Sequence, residues 1–238
     1  MKNTLRNRAR TRLHLFNASI GVLTVVGLAA IFSGALRAER GFRVGPSGMN
    51  LKELAGNAGM TSGADSAPVV VRVFGAYHCP HCGSFELAAG ARLREMAAQG
   101  KIRYVFIHGS RDMTSRNRNG AAAAYCADEQ DRGSEMRDVL YRTWSEWGRG
   151  EDPAPKIAAY AAALGIDGTR FRACVGSPRT LGLVRRDRNA AERVGIERVP
   201  TVFVNDDRVQ LAGAYGPLIQ LVEERVRGSS VATRAARD

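Results

Sequence analysis

Strand character in this chain is confined to two places, and a long helical stretch separates them. The first is APVVVRVF, residues 67–74, a β-branched run that reads as a buried strand. GAYHCPHC follows as a turn. GSFELAAGARLREMAAQG then carries helix formers, with apolar Phe85, Leu87, Leu93 and Met96, and stops at Gly100. KIRYVFIHG comes next as a second strand, completing a β-α-β unit. From about 115 to 194 the pattern is helical, in pieces such as NGAAAAYCADEQ, EMRDVLYRTWSEW, APKIAAYAAALGI, GTRFRACVG and TLGLVRRDRNAAERVGI. Strands return only at PTVFVN and RVQLAG, with Asp206-Asp207 as the turn between them, and GPLIQLVEERVRG closes the fold as a short helix. The two strand-bearing ends can share one sheet only if the helical block is an insertion. The expected fold is therefore α/β, a domain at 67–227 with a helical insertion at about 115–194.

The segments before and after this domain have other characters. MKNTLRNRARTRLH, the basic segment 1–14, carries Lys2, Arg6, Arg8, Arg10 and Arg12 and no acid. Residues 15–36 then run 22 residues without a charge. A helix of that length reaches about 33 Å, enough for a hydrocarbon core of about 30 Å. The positive-inside rule keeps the basic flank in the cytoplasm and sends everything after Leu36 outside. A cleaved signal peptide is the alternative, with Ser33-Gly34-Ala35 as small residues, but the apolar run is longer than such a segment needs. Either way the domain is exported. Residues 37–66, rich in Gly, Ser, Ala and Arg, read as a linker, with MNLKELAGNAG as a short helical candidate, and 228–238 as a disordered tail. The net charge of +12 invites a nucleic-acid reading. Five of those charges sit in the basic flank, and the rest are scattered arginines with no aromatic interleaving, so no nucleic-acid partner is expected.

The chemistry concentrates in Cys79-Pro80-His81-Cys82. Zinc would need four ligands, and Cys126 and Cys174, 48 residues apart, supply no second C-x-x-C pair. No metal and no other cofactor is called for. A purely structural disulfide is a second possibility, but closing so small a loop stabilises little. Thiol-disulfide exchange accounts for the placement best. The thiolate is the attacking species, and a helix N-terminus stabilises it with free N–H groups and its dipole. Cys79 stands at that end and Cys82 lies one turn in. Pro80 suits a first turn because its missing N–H needs no partner. His81 adds a partly cationic neighbour. A stabilised thiolate makes the disulfide easier to reduce, hence more oxidising.

These residues resemble the DsbA-like branch of the thioredoxin superfamily. The resemblance spans roughly residues 49–227 and rests on APVVVRVFGAYHCPHC, AAAAYCADEQ and GIERVPTVFVN. It implies a thioredoxin-like fold split by inserted helices, with Cys79 as nucleophile, Cys82 as resolving thiol, and Pro80 and His81 tuning the thiolate. It also implies a cis-proline at Pro200 facing the pair, where Val199 and Pro200 meet a substrate peptide lying alongside as an added strand. Cys126 and Cys174 correspond to a second, structural disulfide of several relatives. One departure stands out. The acid that many thioredoxin-like proteins carry six residues before the first cysteine is here Val73, which leaves open what serves the inner thiol.

The resulting expectation is an enzyme, a protein thiol-disulfide oxidoreductase. It would sit at the cell membrane as a single-pass protein with a cytoplasmic N-terminus and an extracytoplasmic catalytic domain. It would be a monomer that donates the Cys79–Cys82 disulfide to reduced or unfolded exported polypeptides. A membrane quinone-linked partner, DsbB-like or VKOR-like, would reoxidise it. A reductase or isomerase on the same scaffold, and a non-enzymatic peptide-binding chaperone, are the competing readings. Trp144, Trp147 and Tyr141 read as core.

Overall fold

The computed structural model describes residues 42–46, 51, 58–110, 114–149, 152–211 and 213–235, with backbone only at 46, 115 and 230–235. Packing divides the chain into residues 1–42 and 43–238, and every described residue except Phe42 belongs to the second unit. The basic segment 1–14, the candidate span at 15–36, part of the linker and most of the helical candidate at 49–59 lie outside the described residues. Among the described residues no helix is long and apolar enough to cross a membrane.

Six strands form one mixed sheet: β1 Arg43–Pro46, β2 Met60–Ser62, β3 Val70–Gly75, β4 Arg103–His108, β5 Thr201–Val204 and β6 Asp207–Gln210. Their spatial order is β1-β6-β5-β3-β4-β2. Only β3 and β4 are parallel, with Val71 opposite Tyr104 and Phe74 opposite Ile107. Their crossover is the helical run α1 Pro80–Phe85, a π-helical turn at Glu86–Gly90, and α2 Ala91–Ala98. A parallel pair needs such a crossover, and its strands are buried on both faces. That is why VVRVFG and RYVFIH are mostly apolar, with Arg72 and Arg103 the partly exposed exceptions.

The two ends of the chain meet at β3–β5, where Val73 pairs antiparallel with Val202. Between them lie α3 Ser115–Asp128, α4 Gly133–Arg142, α5 Trp144–Trp147, α6 Ala154–Ala163, α7 Gly168–Val175 and α8 Pro178–Arg193. The helical block is thus inserted between β4 and β5, as the strand pattern required. Phe74, Val105, Ile107 and Phe203 on one face of the sheet pack with Ala190, Ala191 and Val194 of α8. The Phe74 and Phe203 rings meet edge to face at 5.8 Å. On the other face, Arg137 of α4 lies 4.7 Å over the Phe106 ring. Small residues Ala121–Ala124 on α3 are buried and let neighbouring helices approach. A Cys126–Cys174 disulfide ties α3 to α7 across a separation of 48 residues.

Three expectations change. The stretch 37–66 is more than a tether, because it supplies both edge strands: β1 pairs with β6 and β2 with β4. Strands of four and three residues leave too little alternation to be seen in sequence, and the terminal Pro46 is tolerated at an edge. The hairpin turn falls at Asn205-Asp206, with Asn205 at φ 56°, a conformation asparagine accepts more readily than most residues. The last helix, α9, spans Gly216–Ala235, through 228–235 that the sequence suggested as tail. One interior glycine costs a helix only about 1 kcal/mol, and the Ser and Ala that follow are compatible with it.

Candidate functional site

The sheet delivers Cys79 to a helix start. β3 ends at Gly75, the chain turns so that the Cys79 N–H donates to the Ala76 carbonyl at 3.1 Å, and Cys79 takes an extended φ of −91° as the N-cap of α1. Pro80 occupies the first turn. The cap acceptor is sulfur: the Cys82 N–H donates to Cys79 Sγ at 3.4 Å. N-caps are usually oxygen acceptors satisfying free helical N–H groups; a thiolate does the same with a full charge. Both cysteines are free thiols here.

The two sulfurs are made unequal. Cys79 is half-buried and Cys82 is 1% exposed. A hydrogen bond from the Cys82 thiol is the main force lowering Cys79, helped by the backbone N–H groups of Cys82 and His81 and by the His81 charge, against an opposing cost of burial; the balance is about 6. Burial raises Cys82 far above an ordinary thiol, and the bond to Cys79 and its charge push the same way.

The other wall comes from the far end of the sequence. The Val199–Pro200 peptide is cis, and the Val199 carbonyl lies 3.7 Å from Cys79 Sγ. The Thr201 hydroxyl donates to the Arg198 carbonyl at 2.6 Å, fixing the loop. Cys79, Pro80, His81, Cys82, Val199 and Pro200 therefore come together, while Cys126 and Cys174 pair within the helical block.

Two clefts border this centre. One, of about 360 Å³, runs from His81 past Val199 and Pro200 to Arg198, Arg208 and Tyr215. The other, of about 290 Å³, is bounded by Cys79, Pro80, Leu87, Tyr141 and Trp144. Trp147 and Tyr141 are buried as expected of core, whereas Trp144 is half-exposed and lines this second cleft.

Several residues here had escaped the sequence reading. Val73 is buried in β3 and supplies no acid. The buried carboxylate comes from Glu86, four residues past Cys82, whose N–H bonds the Cys82 carbonyl. Its Oε1 accepts from the Tyr104 hydroxyl. Its Oε2 accepts from Arg94 at 2.8 Å and lies 3.8 Å from Arg137. Gly90 gives this carboxylate room, since a Cβ there would stand 2.6 Å from Oε2. An acid on the apolar face of the first helix was the available signal. His78, next to Cys79, bonds through Nδ1 to buried Asn117 Oδ1 at 2.7 Å, and Asn117 Nδ2 donates to Ser110 Oγ at 2.9 Å. An amide oxygen only accepts, so His78 donates from Nδ1. No local motif in α3 announces Asn117.

A split sheet, a cysteine pair at a helix start and a cis-proline beside it define a thioredoxin-fold domain with inserted helices. The thioredoxin family model matches residues 56–224, and the chain belongs to that family, with the fold of its DsbA-type oxidoreductases. Oxidised BdbD from Bacillus subtilis superposes with a TM-score of 0.61 at 18% identity, covering 72% of this chain and 97% of that one. The α-DsbA1 protein of Wolbachia pipientis gives 0.63 at 16% identity, over 73% and 93%. In sequence, a probable disulfide bond formation protein D of Bacillus anthracis is 28% identical over 157 residues, 60% of this chain and 68% of that protein. The Na(+)/H(+) antiporter NhaA 1 of Salinispora arenicola is 30% identical over 173 residues, 72% of this chain. NhaA 3 of Salinispora tropica is 33% identical over 147 residues, 61% of this chain. The matched part is only 25% and 21% of those two antiporters.

Proposed function

We infer that this chain is an extracytoplasmic thiol-disulfide oxidase, tethered by residues 15–36, that donates its Cys79–Cys82 disulfide to exported polypeptides. The observation that carries the reading is the inequality of the two sulfurs: Cys79 caps the helix and its thiol is lowered to about 6, so it ionises above that pH, whereas Cys82 is buried and raised, which keeps it a thiol. In exchange, a client thiolate attacks Cys79 Sγ and forms a mixed disulfide, while the Cys79–Cys82 bond breaks and its electron pair goes to Cys82, which takes up a proton. A second client thiolate then attacks the client sulfur, and Cys79 leaves as the thiolate. The client is oxidised by two electrons and the pair becomes a dithiol. A good leaving group has a low pKa, which suits Cys79. Val199 and Pro200 would align the client backbone beside the sulfur. Reoxidation falls to a membrane quinone-linked partner, DsbB-like or VKOR-like. The similarity to a probable disulfide bond formation protein D supports the exchange chemistry. The antiporter matches, limited to a quarter of those proteins or less, support a shared domain and not transport by this chain.

The test is stoichiometric oxidation of a two-cysteine peptide by the oxidised full chain. About one peptide per chain is expected to close, and none with Cys79→Ser. Peptide oxidation that persists in Cys79→Ser would overturn the reading.

A further inference from the structure

We propose that the cleft beside Pro200 is a receptor for a carboxylate side chain of the client, held by Arg198 and Arg208, so that the protein prefers clients with Asp or Glu close to the reacting cysteine. The inference rests on the exchange reading and adds a substrate class to it. The cleft begins at His81, inside the cysteine motif, follows Val199 and Pro200, and ends on β6. Cys79 Sγ lies 3.7 Å from the Val199 carbonyl on its wall, so a polypeptide joined to Cys79 and aligned along Val199 and Pro200 has one flank over this floor. In an extended chain, alternate residues share a face about 6.5 Å apart, which places the second residue from the client cysteine over the cleft.

The lining carries two arginines and a histidine and no carboxylate. Among the described residues neither guanidinium has an acid within 4.0 Å, whereas the nearby Arg225 is satisfied by Asp207 at 2.7 Å. Arg208 is half-buried on β6, and Arg198 is exposed on the loop that carries Pro200. A guanidinium offers paired N–H donors matched to a carboxylate. Two of them along one groove select acidic side chains and repel basic ones. Because the site is open to solvent, the preference should weaken with salt on the scale of the Debye length, about 10 Å at 0.1 M.

The experiment measures the rate at which single-cysteine peptides attack the disulfide of the oxidised full chain. The peptides differ only in carrying Asp, Asn or Lys two residues before or after the cysteine. Each rate is normalised to the same peptide's reaction with hydroxyethyl disulfide, which removes differences in thiol reactivity. In at least one of the two positions, the Asp peptide should outrun the Asn peptide by about three- to tenfold and the Lys peptide by more. The ratio should shrink toward one in 1 M salt. The double charge reversal R198E/R208E should invert the Asp-to-Lys order, and each variant is compared only with itself. Should that variant not fold, the salt dependence of the wild-type ratio still decides. Equal normalised rates for all peptides, with dithiothreitol still oxidised, would overturn this proposal alone. A chain that oxidises neither the peptides nor dithiothreitol would overturn the exchange reading beneath it.

Discussion

At the scale of single residues, the account turns on how Cys79 keeps its charge. Its value of about 6 is set first by the Cys82 thiol, then by helix N–H groups and His81. Alkylation of the reduced chain should therefore reach half its maximal rate near pH 6, and Cys82→Ala, which removes the largest stabilising contact, should move that midpoint upward. A midpoint near that of a free thiol in the unmutated chain would contradict this. The same shift acts on stability. A depressed folded value adds stability that is complete above the unfolded value and is lost as pH falls through about 6. Relative to Cys79→Ser, the reduced chain should thus grow more resistant to denaturant between about pH 6 and 9 and level off above. Glu86 is the other decisive residue. Held by Tyr104, Arg94 and Arg137, it shares with Asp138, 2.6 Å from Arg94, the charge of two largely buried guanidinium groups. Removing one partner of a buried ion cluster costs about 3–5 kcal/mol, the loss expected for Glu86→Leu in denaturant titrations. A loss under about 1 kcal/mol would mean that water or another acid replaces it.

At the scale of elements, the insertion is stitched to itself by Cys126–Cys174, joining α3 to α7. Closing a loop of that length is worth about 4 kcal/mol in the chain-entropy view. The Cys126→Ala/Cys174→Ala pair should lower stability by about that amount, measured with Cys79 and Cys82 kept reduced in both proteins. An unchanged denaturation midpoint would argue against a stabilising role. Elements were legible in sequence where their signals were long. β3 and β4 are rich in β-branched and aromatic residues and α8 is a long amphipathic stretch, so their order alone implied the insertion. β1 and β2 were not legible, because such short edge strands are selected by their register against β6 and β4. The helix was misjudged after Gly228 because one glycine looked like a stop. In the site, the cysteine motif could be found as a local pattern, and Pro200 followed only from the family resemblance carried by GIERVPTVFVN. Glu86, Asn117, Arg198 and Arg208 could not, because their meaning depends on which distant segments the sheet brings beside Cys79.

At the scale of the whole molecule, the fold places the Cys79 thiol at one helix end, the cis-Pro200 loop across from it and clefts beside both. Stabilising the thiolate favours the dithiol over the disulfide, and that difference sets the direction of electron flow. The most direct test is the equilibrium reduction potential of the Cys79–Cys82 pair in the full chain, measured in glutathione buffers. The account predicts a strongly oxidising value, near about −120 mV. A value near about −270 mV would mean that the protein reduces its clients, and would contradict the oxidase reading.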